Sequence, residues 1–199
     1  MSADTILDDG LSRRRFLGTS LAIAALSAAP ALQAARGRTM AGLACCDEDE
    51  ASDFFASLPA SCERWEGGLS GATQRLLQVS GALLPDLLVG LTRSAELHVI
   101  GQLALERGYT RHFVARHRID SGAMEHVAES SDVRLLDSWS RVAMGDGAFP
   151  QALAQVATRC TPAAATLPLR VSRCVSPASG YRNDHRVSWI FIRNSGVRA

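Results

Sequence analysis

The 199-residue chain contains no lysine; all 21 of its basic side chains are arginine. That absence removes Schiff-base chemistry, a lysine general base and the lysine of a phosphate-binding loop. Other signatures are missing too. The sequence has no Gly-x-Gly-x-x-Gly, Gly-x-Ser-x-Gly, Cys-x-x-Cys or Cys-x-x-Cys-His. Dinucleotide binding, a nucleophile elbow, iron–sulfur ligation and haem attachment therefore have no local support. His117-Arg118-Ile119-Asp120 looks superficially like a kinase catalytic loop, but its glycine-rich loop and lysine partners are absent. Aromatic residues make up only 6% of the chain, and the formal net charge of +1 exerts no global pull toward nucleic acid or anionic lipid. After the first 35 residues no apolar run is long enough to span a bilayer.

What is present starts at the N-terminus. Ser12-Arg13-Arg14-Arg15-Phe16-Leu17 precedes a small-residue apolar run that ends at Ala35. This resembles a twin-arginine (Tat) export signal, Ser/Thr-Arg-Arg-x-Phe-Leu ahead of a moderately hydrophobic core. The resemblance implies that Ser12, Arg13, Arg14, Phe16 and Leu17 address the chain to the Tat translocase. That route carries folded proteins to the periplasm or beyond. Small residues place cleavage at Ala31 or Ala34, which leaves no stable membrane span; an uncleaved anchor over Phe16–Ala35 is the alternative. Residues 1–34 thus read as signal peptide, 35–48 as a flexible acidic leader and 49–199 as one globular domain with room for a core.

Charge is segregated in the remainder. Asp47, Glu48, Asp49, Glu50, Asp53, Glu63 and Glu66 crowd its start, against Arg64. From Pro150 onward, seven arginines from Arg159 to Arg198 face one acid, Asp184. Such blocks either pair weakly within the fold or present two faces to a partner. The five cysteines are Cys45, Cys46, Cys62, Cys160 and Cys174. In an oxidising compartment they favour disulfides, and Cys160 with Cys174 and Cys62 with Cys45 or Cys46 are the expected pairs. The odd count leaves one over.

Hydrophobic periodicity predicts an α+β fold. An antiparallel sheet of about five strands, with a central three-stranded meander, is expected to pack against amphipathic helices. Helices are expected at 49–58, 71–91, 133–144 and along the stripe Phe149 to Cys160, with Asp132 capping the third. Pro85 should kink or divide the second. Strands are expected at 96–105, 109–119, 124–129, 167–175 and 186–193.

Four of the five histidines fall on the proposed meander. A turn at 120–123 joining Ile119 opposite Met124 sets His117 opposite His126, with Cβ atoms about 5 Å apart. The preceding hairpin would set His98 opposite Arg116 and Gln102 opposite His112, on the other face from the His117–His126 pair. Imidazole suits copper or zinc, with His117 and His126 the best pair and Glu125 or His185 as further donors. Neighbouring arginines oppose a bound cation. The leading expectation is an exported, non-catalytic accessory protein or small subunit, escorted with a larger partner and binding no nucleic acid. The alternatives are a histidine-based metal protein or metallochaperone, and a hydrolase with scattered residues.

Overall fold

The computed structural model describes residues 38–46, 48–120, 122–144, 149–160, 168–177 and 185–194. The Tat-like segment, with Ser12, Arg13, Arg14, Phe16, Leu17, Ala31 and Ala34, lies outside them. So do Asp47, Asp184 and most of the loop before Arg186. In chain order the elements are β1 (Met40–Ala44), α1 (Glu48–Ser57), β2 (Glu63–Trp65), α2 (Gly68–Gln78), a 3-10 turn (Gly81–Leu83), β3 (Leu87–Thr92), α3 (Ser94–Glu106), β4 (Tyr109–Asp120), β5 (Ala123–Ser130), α4 (Val133–Ala143), α5 (Phe149–Arg159), β6 (Arg170–Pro177) and β7 (Arg186–Arg193).

The seven strands form one mixed sheet in the order β2-β1-β3-β7-β4-β5-β6. β1 runs parallel to β2 and β3, and every other pairing is antiparallel. The fold is α+β, with five helices among the described residues. Phe54 of α1, Leu135 and Trp139 of α4, and Leu153 of α5 bury one face. Ala72 and Leu76 of α2 with Ile100 and Ala104 of α3 bury part of the other. No helix among the described residues is long and apolar enough to cross a membrane.

Three expectations are corrected. The segment read as a flexible leader contains β1, whose Met-Ala-Gly-Leu-Ala pairs with β3 from Met40↔Leu87 to Ala44↔Leu91. Its apolar residues, Ala41 and Leu43, are buried. The helix expected over 71–91 ends at Gln78, and the rest becomes a 3-10 turn and β3. Pro85 forbids continuation, and Leu87–Thr92 is buried at every position, as suits a strand covered on both faces.

The third correction is the largest. The strand expected at 96–105 is helix α3. Glu96 Oε2 accepts a 2.7 Å hydrogen bond from the Arg93 backbone N–H, a capping contact that satisfies a free donor at the helix start. Ile100 and Ala104, four apart, are buried on one side. The three-stranded meander therefore reduces to the β4–β5 hairpin, and the pairings His98–Arg116 and Gln102–His112 do not exist. Two strands ahead of α3 and β3 itself raise the count from five to seven.

Candidate functional site

The β4–β5 hairpin has the register its turn residues predict: Ile119 opposite Met124, and His117 opposite His126. Gly122 holds φ of +83° at the turn, a conformation glycine adopts without a Cβ penalty. β7 flanks β4 and β6 flanks β5, so the row extends to Arg186 beside His117 and Cys174 beside His126. A β-bulge between Arg111 and Phe113 precedes this row in β4. Beyond it Phe113, Ala115 and His117 all point toward α1, α4 and α5.

Both histidines are nearly sealed, at 2% and 1% exposure. Their Nδ1 atoms lie 2.8 Å apart. His117 Nε2 sits 2.7 Å from Ser188 Oγ, and His126 Nε2 sits 2.8 Å from Ser176 Oγ. The indole of Trp139 covers both rings, with centroids 5.6 and 6.0 Å away. The result is a hydrogen-bonded chain, Ser188–His117–His126–Ser176, across four strands. Tautomers along it are linked. If His117 donates through Nδ1, its Nε2 accepts from Ser188, and His126 donates through Nε2 to Ser176. Next in the row, Arg186 Nε donates to Glu50 Oε2 at 2.8 Å in a buried ion pair.

Burial sets the charge state. Desolvation holds His117 well below the ordinary imidazole value, and His126 adds to the shift. Desolvation alone lowers His126 to about 4. Both rings are neutral at physiological pH.

Two chemistries can be tested against this geometry. For a metal, two nitrogens each 2.0–2.1 Å from a tetrahedral ion would stand about 3.3 Å apart, wider than the observed hydrogen bond. No group of three or more His, Cys, Asp or Glu side chains suited to an ion exists among the described residues. Glu125 projects from the opposite face of β5 by the strand period of two. His185 is exposed and lines a cavity of about 230 Å³ together with His117, Glu125 and Arg186. Copper or zinc therefore finds a two-imidazole pair here and no third donor among them.

For nucleophilic catalysis, Ser176, His126 and His117 stand in the order nucleophile, base and orienting group. The orienting group is a neutral imidazole rather than a carboxylate, and a base lowered to about 4 accepts a proton poorly at neutral pH. What the chain does well is satisfy buried polar atoms and lock four strands in register.

No disulfide joins the five cysteines in the structure. Cys62 precedes β2 at the level of Met40, and the strand carries Cys45 five positions further, roughly 16 Å. Cys45 lies near Gly68, whereas Cys62 packs against Gly42 and Phe55 on the other face. Burial pushes the Cys45 and Cys160 thiols up to about 12 and Cys62 up to about 11. Cys174 is raised by the same cause.

A second feature went unread in the sequence. Opposite the histidine row, β4, β5 and β6 present Arg111, Arg116, Arg118, Glu125, Val127, Glu129, Val171, Arg173 and Val175 to a face that no helix covers among the described residues. Val171 and Val175 are 59% and 60% exposed. Arg116 pairs with Glu129. Beside this bare area, α3 and the sheet enclose a cavity of about 550 Å³, floored by Val187 and Phe191 and flanked by Leu97 and Leu105. The alternation Val171, Arg173, Val175 carried the signal, but it becomes legible only once the helices are assigned to faces. Compared with known proteins, the chain matches no family model, no curated protein and no solved structure.

Proposed function

We propose that this chain is an exported accessory protein or small subunit that works by holding a partner polypeptide. The observation that carries the reading is the half-face of the sheet that the described helices leave bare, with two valines more than half exposed amid arginines. A sheet face of this kind in a lone chain leaves apolar area in water, and contiguous exposed patches mark interaction sites. The histidine chain supports the same reading from the other side of the sheet. Its groups are neutral and hydrogen-bonded, and they stiffen the strands whose outer surface does the binding. The Tat-like N-terminus adds the compartment, because a folded chain can leave the cytoplasm with its partner attached.

The experiment is a double substitution, Val171→Glu with Val175→Glu, in the full exported chain. Both side chains are already largely solvated, so the fold is expected to survive with an unchanged thermal midpoint. Partner co-purification from the envelope fraction is expected to disappear. A partner retained at wild-type stoichiometry by the folded double variant refutes the reading.

A further inference from the structure

Among the described residues the two faces of the sheet are unequal by one helix. Seven strands at about 4.8 Å spacing make a sheet about 29 Å wide. Helices of about 10 Å diameter lying side by side need three to cover it. One face has three among the described residues: α1, α4 and α5. The other has two, α2 over β1 and β2 and α3 over β7 and the start of β4. The vacant third place lies over the rest of β4 with β5 and β6, and its width of two strand spacings, about 10 Å, is that of one helix.

We propose that this place is filled by an amphipathic α-helix of the partner, with an apolar stripe and acidic flanks; this rests on the binding role proposed above. The floor supplies the apolar half of the contact. Val127, Val171 and Val175 stand on the sheet, and Leu105 of α3 and Leu169 beside β6 border it, 52% and 59% exposed. The outer flank of α3 (Leu97, Gly101 and Leu105) forms one wall of the cavity of about 550 Å³. A helix laid alongside α3 fills that groove as α3 itself fills the space over β7.

Charge selects the partner. Among the described side chains of this face, four arginines, Arg111, Arg116, Arg118 and Arg173, stand with two acids, Glu125 and Glu129. Arg116 alone of the four is in an ion pair among the described residues. Arg111, Arg118 and Arg173 are exposed around the valines. Carboxylates flanking an apolar stripe meet guanidinium groups at the rim, where arginine pairs well. A basic helix would face like charge and is rejected.

The test uses the full chain and two synthetic peptides of about five helical turns with the same leucine stripe, one flanked by glutamates and one by lysines. The glutamate peptide is expected to bind roughly tenfold tighter or more, and to protect Val171 and Val175 from hydroxyl-radical labelling. Arg111→Glu with Arg173→Glu is expected to reverse the preference. Equal affinities, or tighter binding of the lysine peptide to the unaltered chain, overturn the proposal. So does a self-associating chain whose dimer dissociates on Val171→Glu, since a second copy then holds the place. Protection of both valines in the lone monomer also overturns it, because the chain then covers its own face.

A photo-crosslinker at Val175 in exporting cells separates this proposal from the broader one. Attachment within an acidic, apolar-striped helix of the partner supports it. Attachment within an extended segment running along β6 overturns it while leaving the binding role standing.

Discussion

Gly90 lies opposite Trp189 across β3 and β7, and the indole occupies the space a side chain would need. A Cβ there would stand 2.0 Å from Trp189 Cζ2, while the indole N–H donates to Thr92 Oγ1 at 3.0 Å and cannot swing away freely. Gly90→Ala is expected to cost about 3 kcal/mol, the upper range of overpacking, measured as a lower urea midpoint with unchanged slope. The histidines act on stability through pH. Unfolded imidazole titrates near 6.5, whereas burial lowers His126 in the fold to about 4 and holds His117 well below its ordinary value. Between those values the unfolded chain binds more protons than the folded one, so stability falls as pH falls. It is complete above about pH 7, and the His126 shift alone is worth on the order of 3 kcal/mol by pH 4. Urea denaturation from pH 7.5 to 4 checks this. His117→Gln with His126→Gln is expected to flatten the profile, and an unchanged profile places the acid sensitivity elsewhere.

At the level of the element, α4 illustrates what local chemistry settles. Asp132 accepts from the Arg134 backbone N–H at 2.9 Å, and Leu135, Leu136 and Trp139 are buried on one side. Both features are visible in the sequence, because a cap and a 3.6-residue stripe need no tertiary context. Asp132→Ala is expected to lower unfolding free energy by about 1 kcal/mol, again by urea titration. α3 and β3 show the reverse. Residues 96–105 are apolar enough to suit a strand, and only the Glu96 cap and the Ile100–Ala104 spacing argue for helix. Leu87–Thr92 continues a leucine pattern that looks helical, yet both its faces are covered in the fold. Short apolar runs are ambiguous until their neighbours decide which sides are buried.

For the whole molecule, the proposed role depends on export, and the paired arginines carry that dependence. Arg13→Lys with Arg14→Lys is expected to leave the protein in the cytoplasm, as fractionation would show; wild-type export of that variant removes the Tat reading. The mixed sheet gathers residues from distant parts of the chain: Glu50 with Arg186, and Ser188 and Ser176 with the two histidines. By itself the sequence determined the local matters: the α+β class, the Asp132 cap, the β4–β5 turn and with it the His117–His126 register. Those follow from backbone preferences and side-chain period over a few residues. Tertiary structure alone decided the strand order, the serines at each end of the histidine chain and the face that the described helices leave bare. Each depends on which elements meet across the sheet, and that is set by the packing of all the helices at once rather than by any segment alone.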